Sequence, residues 1–234
     1  MSKYLLLVFL LGSCAQSPTW EDSNSTVRGW GSMREALKMG HSEGRVVLDD
    51  VIGERTYGLG AMAGLQGEIT IIHGTSYIVD ASSGELTIRP HTADDEATLL
   101  VTADVSSWHM YPVPEIGSYE ELEEVVAELC RAKGMDLQQP IPFWVQGVAT
   151  EIELHVINGS CPIANPDGPE PWRTAQETVL LRLFGIYIEG SAGEFTHHNR
   201  NSHVHAIATG SKISGHVDAI ALSDQSVIWI PELP

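Results

Sequence analysis

Three histidines set the chemistry this chain can do. His203 and His205 are separated by one residue, and His216 follows after ten more. On a strand, residues i and i+2 point to the same side, so both imidazoles can aim at one point. Gly210-Ser211 reads as a hairpin turn, and the return strand carries His216 back beside the pair. Three neutral nitrogen ligands with one open position make the ligand set of a catalytic zinc site. Zinc held in this way polarises a substrate oxygen or activates water. The glycine in Ser214-Gly215-His216 lets the backbone come close at that point.

Other uses of the same residues compete with this reading. Two histidines on a strand can simply form a half-exposed face. His197 and His198 extend the histidine-rich stretch, and such a loop can gather metal without catalysing anything. Cupin-like iron or manganese sites also use a His-x-His pair, but a carboxylate usually follows four residues later. Thr209 stands there in this chain. Three imidazoles do not choose sharply among zinc, iron and manganese.

The elements that must position these groups are mostly strands. Glu68–Ile72 and Ser76–Val79 flank a turn at His73-Gly74-Thr75. Glu85–Arg89 and Thr98–Thr102 read as two more strands, and Phe143–Val148 with Ile152–Ile157 as a further pair. Val179–Glu189 reads as a long strand with Gly185 as a bulge. His203–Ala208, His216–Leu222 and Ser226–Ile230 complete the set. Residues 50–67 are glycine-rich and read as tight turns rather than a regular element.

Helices are few. Tyr119–Lys133 has Ser118 as N-cap, Glu121 as its capping-box partner and Gly134 as the stop. Leu122, Val125, Val126 and Leu129 form one apolar face, while Glu120, Glu123, Glu124 and Glu128 form a solvated acidic one. Ser32–Met39 is a shorter helix capped by Ser32 and Glu35, and Thr174 with Glu177 opens another. Asn158–Pro171 is a long turn-rich connection. The expectation is an α+β fold with extensive mixed or antiparallel sheet and a few helices.

Composition narrows the partners. The chain has 234 residues, with 31 acidic against 13 basic side chains and a formal charge of −18. That length supports a substantial core. The acidity argues against nucleic acid as partner, because phosphate neutralisation needs clustered Lys and Arg. Three cysteines cannot make a disulfide framework.

The first residues read as an address. Lys3 precedes the apolar run Leu5–Leu11, which is too short to span a bilayer as a helix. Leu11-Gly12-Ser13-Cys14 has the pattern of a bacterial lipobox. Residues 1–13 are then a signal peptide of lipoprotein type, and Cys14 carries a lipid anchor in place of a transmembrane helix. Its removal leaves 12 basic against 31 acidic side chains. A plain secretory signal is the alternative. Residues 14–29 are polar and suit a tether, and 30–234 form the catalytic domain. The protein is expected to be exported to the cell envelope. There Cys130 and Cys161 could pair, although the sequence supplies no geometry for it.

The chain resembles the alpha-acetolactate decarboxylase family over roughly residues 30–222. Tyr57-Gly58-Leu59-Gly60 with Gly64-Leu65-Gln66-Gly67-Glu68 resembles its "GLGTFxxLDGE" segment, and His73-Gly74-Thr75-Ser76-Tyr77 its "LDGxxY" continuation. Pro142–Gly147 resembles its "NPFYAIRIEG" strand, and Phe184-Gly185-Ile186-Tyr187 its "VGF" strand. His203-Val204-His205 and Ser214-Gly215-His216-Val217 resemble "HxHF…GGHVLD". The resemblance implies that family's fold, with two similar subdomains and a homodimeric assembly. It implies a zinc enzyme converting a 2-hydroxy-3-keto acid, 2-acetolactate, to acetoin and carbon dioxide. By position His203, His205 and His216 hold the metal and Glu68 is the active-site glutamate. A cation chelated by neighbouring hydroxyl and ketone oxygens is an electron sink for loss of the carboxylate.

Three positions depart from the pattern. His155 stands where the family has a substrate-binding arginine, and an imidazole lacks that residue's permanent charge and bidentate fork. Ala61 stands where the family has a threonine. Glu232 lies near the place of a C-terminal glutamate, without a motif to align it. The metal site is therefore expected to be retained and part of the substrate clamp replaced. Two further readings stay open: a zinc enzyme of the same fold acting on an ester or another hydroxy-keto acid, and a non-catalytic metal-binding surface lipoprotein.

Overall fold

A computed structural model of the protein describes residues 18–21, 24–160, 165, 167–191, 196, 199–210 and 213–232. Two sheets carry the fold, and every pairing within them is antiparallel. The first holds β1 (Thr19–Glu21), β2 (Ser25–Trp30), β3 (Val46–Val47), β4 (Thr56–Met62), β5 (Glu68–Ile72), β6 (Thr75–Asp80), β7 (Thr87–Arg89) and β8 (Glu96–Val105), in the order β1-β2-β8-β4-β5-β6-β7, with β3 on β8. The second holds β9 (Trp108–Pro112), β10 (Ile141–Val156), β11 (Trp172–Tyr187), β12 (Ser202–Ala208), β13 (Ile213–Leu222) and β14 (Val227–Pro231). One long helix, α1 (Tyr119–Ala132), lies between β9 and β10 in the chain.

The second sheet closes on itself. β10 pairs with β11 along one edge and with β13 along the other, while β12 joins β11 to β13. Alternation along β12 then divides two environments. Val204 and Ala206 pack into a core with Leu122 and Val126 of α1. On the opposite parity, Ile207 joins Phe184 and Ile186 against Tyr57, Leu59 and Val101 of the first sheet. His203 and His205 share that parity, so they face the seam between the sheets.

Local chemistry explains the elements. Ser118 Oγ accepts from the Glu121 amide at 3.1 Å, and Glu121 Oε2 accepts in return from the Gly117 amide at 2.6 Å. That pairing caps α1, with the Glu121 amide engaged by the N-cap and the chain entry at Gly117 tied back to the first turn. The β5–β6 hairpin turns through His73 and Gly74, both at positive φ (51° and 74°), as a two-residue turn that matches strand twist requires. Ser32 also caps as expected, receiving the Glu35 amide at 3.1 Å, but the element it opens is a single π-helical stretch, Arg34–Lys38.

Several expectations are corrected. The glycine-rich run contains β4, buried along its whole length. Its glycines admit a neighbouring strand: a Cβ on Gly60 would lie 2.1 Å from the Leu99 carbonyl oxygen of β8. The polar tether ends earlier than expected, because Ser25–Trp30 pair residue by residue with β8. Phe143–Val148 and Ile152–Val156 belong to one 16-residue strand, and Ile157 lies just past its end. The expected helix at Thr174–Glu177 is the start of β11, where cross-strand pairing with Ile152–Leu154 overrides the local capping pattern. The pairing runs unbroken through Gly185; the irregularity falls at Thr178, which takes φ 54°. Glu123 is not a solvated residue: its Oε1 accepts from the Asn201 and Ser202 amides and the Ser202 hydroxyl, at 2.7–2.9 Å. It thereby anchors the entrance to the His203 strand. Cys14, Cys161, His197, His198 and Ser211 lie outside the described residues, and Cys130 is a buried free thiol.

Candidate metal centre

Strand register assembles the site. His155 on β10, His216 on β13 and His205 on β12 stand directly across from one another, in one row over three strands. His203 lies one pleat further along β12. Gly215 makes the close approach possible, since a Cβ there would meet the His155 carbonyl oxygen at 2.5 Å. The extended pairing of β12 with β13 thus does what the His-x-His spacing and the return strand predict. The ligand atoms of His203, His205 and His216 all lie within 4.8 Å of one another, and all three residues are buried.

The donor set fits a divalent cation. His205 Nδ1 lies 2.8 Å from the Ile69 carbonyl oxygen, an acceptor, so this nitrogen carries the proton. Nε2 of His205 is then the nitrogen left available to a cation. It lies 3.2 Å from Nε2 of His203. Two imidazole nitrogens bound tetrahedrally at roughly 2.0–2.1 Å from one zinc ion sit about 3.3 Å apart. A backbone carbonyl holding the far nitrogen of a ligating histidine is the usual outer support of such a site.

The first sheet supplies the rest through β5. Glu68 and Thr70 share one face of that strand. Glu68 Oε2 lies 3.7 Å from His205 Nε2, and Glu68 Oε1 accepts from the Ile157 amide at 3.3 Å. Burial pushes the Glu68 carboxyl up to about 7; His155 and the Ile157 amide pull it partly back, and Asp218 adds to the rise. Thr70 Oγ1 stands 3.3 Å from His205 Nδ1 and 3.3 Å from Ser214 Oγ.

His155 sits beside the triad. Its ring centroid is 4.7 Å from that of His216, and its Nδ1 is 2.8 Å from Asp218 Oδ1. The other oxygen of Asp218 accepts from Arg173 at 2.7 Å. A bulge between Glu153/Ala219 and Leu154/Val217 leaves Asp218 as the extra residue of β13. His155, His216 and Asp218 form a second group with ligand-type atoms within 4.8 Å of one another.

Sequence reasoning singled out His203, His205, His216, Glu68 and His155, and these five share the site. It missed Asp218, Thr70, Ser214 and Arg173. The period of two would have found Thr70, which follows Glu68 by two residues, whereas Asp218 owes its place to the bulge in β13. Ala61 pairs directly with Glu68 across β4 and β5 and packs among Met33, Leu65 and Ile157. Glu232 is exposed, and its backbone is tied to Ser107 and Asn24.

The two-sheet fold is that of one family. Residues 31–230 match the family model described as alpha-acetolactate decarboxylase, and the chain belongs to that family. A Staphylococcus aureus protein of unknown function similar to alpha-acetolactate decarboxylase superposes with a TM-score of 0.70 at 13% identity, covering 88% of this chain and 84% of its own. Alpha-acetolactate decarboxylase from Bacillus subtilis strain 168 gives 0.68 at 16% identity, covering 88% and 85%. Acetolactate decarboxylase from Bacillus subtilis subspecies spizizenii gives 0.66 at 17% identity, with the same coverage. At these identities the structures show a shared fold. No curated protein matches the sequence.

Proposed function

We propose that this protein is a zinc-dependent decarboxylase that converts 2-acetolactate to acetoin and carbon dioxide. The observation that carries the reading is the convergence of His203, His205 and His216 beside the buried Glu68, in a chain of this family. The three imidazoles would hold the ion. When bound, zinc supplies Lewis-acid stabilisation of the negative charge that develops as the carboxylate leaves.

The reaction breaks one C–C bond, releases carbon dioxide and consumes one proton at the carbon left behind. Glu68 is the group suited to deliver it. Its Oε1 accepts from the Ile157 amide, so the proton resides on Oε2, on the side of the histidines. With its carboxyl raised to about 7, that oxygen is protonated for much of the time near neutral pH. The His205–Ile69 bond keeps the imidazole turned toward the same point. The buried setting of all four groups keeps water from competing for the charge.

Purified protein loaded with one zinc per chain is expected to release carbon dioxide from racemic acetolactate. Absence of turnover with zinc demonstrably bound excludes this reaction. One observation favours a second reading, a hydrolase or lyase of the same fold acting on an ester or another hydroxy-keto acid. His155 stands where the family motif has arginine, and it presents a single hydrogen-bonding point instead of a charged fork. Ester hydrolysis abolished by His205→Ala would establish it. Export as a lipoprotein anchored at Cys14 completes the proposal. Mass spectrometry of the N-terminal peptide from cells reads the lipid directly, and an unmodified Cys14 rejects the anchor.

A further inference from the structure

A chain of three side chains leads from the histidine centre toward solvent, and the three-histidine ligand set does not use it. His155 faces His216 across β10 and β13, with ring centroids 4.7 Å apart. Its Nδ1 meets Asp218 Oδ1 at 2.8 Å. Asp218 Oδ2 receives Arg173 Nη1 at 2.7 Å, and the Arg173 side chain is 58% exposed. Asp218 reaches this place because β13 bulges there and spends an extra residue opposite Glu153.

The roles in this chain are fixed by donor and acceptor chemistry. A carboxylate bridged to a guanidinium can only accept, so Nδ1 of His155 donates. That places a proton on Nδ1 and turns Nε2, on the opposite side of the ring, away from Asp218. The Arg173 bond also occupies the second oxygen of Asp218 with a permanent cation. This disfavours Asp218 as a ligand for a further metal ion and favours it as an outer support.

We propose that Asp218 is a positioning residue that fixes the tautomer and orientation of His155, so that His155 Nε2 meets an oxygen of a small hydroxy acid bound at the histidine centre. Arg173 holds Asp218 in place for this task. The proposal rests on the reading of the centre as a cation site that takes a hydroxy-keto acid. Recognition through one imidazole nitrogen makes affinity for the acid depend on residues two steps removed from it.

The test uses the full chain loaded with cobalt, and the probe is 2,3-dihydroxy-2-methylbutanoate, the acid obtained by reducing the ketone of acetolactate. Nitrogen-15 NMR reads the His155 tautomer, calorimetry reads probe affinity, and the visible cobalt spectrum reads the metal ligands. Asp218→Ala is expected to move the His155 proton to Nε2 and weaken the probe about tenfold, with the cobalt spectrum unchanged. Asp218→Glu should restore most of the affinity, and Arg173→Met should lose a smaller part of it. With acetolactate, KM should rise more than kcat falls. An unchanged tautomer with unchanged probe affinity in Asp218→Ala overturns the proposal. So does an altered cobalt spectrum, which would make Asp218 a metal ligand. If the wild-type protein fails to turn over acetolactate, the proposed reaction falls, while the tautomer shift still decides the role of Asp218.

Discussion

Nδ1 of His205 lies 2.8 Å from the carbonyl oxygen of Ile69, and this bond crosses from the second sheet to the first. It fixes which nitrogen of the central imidazole is available to a cation. It also makes β5 an outer wall of the histidine cluster, although that strand supplies none of the three imidazoles.

His205→Ala should therefore remove the ligand that faces both His203 and Glu68. Zinc affinity is expected to fall roughly a hundredfold or more, with activity lost in parallel. Metal content after dialysis and competition with a chromophoric chelator measure it. Unchanged zinc stoichiometry in the variant would remove His205 from the ligand set.

Thr70→Val keeps the shape of the side chain and deletes the hydroxyl that stands 3.3 Å from both His205 Nδ1 and Ser214 Oγ. The Ile69 carbonyl still holds the ring, so the expected loss of zinc affinity is moderate, about tenfold. Thr70→Ser should recover it. Calorimetric titration of the metal-free variants with zinc distinguishes the two outcomes.

Glu68 ties stability to pH in the metal-free protein. Its carboxyl is raised from an ordinary 4.5 to about 7 in the folded state. Below the lower value it is protonated in both states and has no effect. As pH rises toward the upper one, the unfolded chain ionises freely while the folded chain must keep a proton or bury a charge. Stability therefore falls with rising pH between about 4.5 and 7, by on the order of 3 kcal/mol. Urea unfolding across that range should show the decline, and Glu68→Gln should flatten it. A profile of the same slope in both proteins would contradict the burial argument.

Gly185→Ala should destabilise the fold. An added Cβ would meet ring carbons of Phe143 at 2.4–2.5 Å, and that ring is fully buried in the core beneath α1. The cost is expected to be about 1–3 kcal/mol, read as a lower melting temperature with secondary structure retained.

Cys130 should resist thiol reagents in the native state. It is completely buried on α1, and desolvation pushes its thiol up to about 12. Reaction with a disulfide reagent at neutral pH is expected only on unfolding, at a rate set by opening of the helix. Fast labelling of the folded protein would show that α1 opens locally.

Much of the site was legible because it is built on short-range periodicity. His203 and His205 share a strand face by spacing alone, and the turn before His216 reverses the chain. The strand at Glu68–Ile72 and the helix opened by Ser118 are written in hydrophobic alternation and capping residues, and both stand as read. What stayed hidden depends on which strands lie side by side. Nothing within β4 announces that Gly58 and Gly60 are there to admit β8, so a buried strand reads as loops. Thr174–Glu177 carries a capping box whose meaning is cancelled by its partner strand 20 residues earlier. Asp218 gains its role from a bulge, which shifts register by one residue and leaves no mark in composition.

The three imidazoles ride on one sheet and Glu68 on the other, with Tyr57, Trp108, Trp144 and Phe184 packed together across the same seam. Any sliding of one layer over its mate therefore alters the gap between the Glu68 carboxyl and the histidine cluster before it disturbs either alone. Substitutions in that aromatic layer, though chemically inert, become a distant adjustment screw for the spacing of the candidate centre.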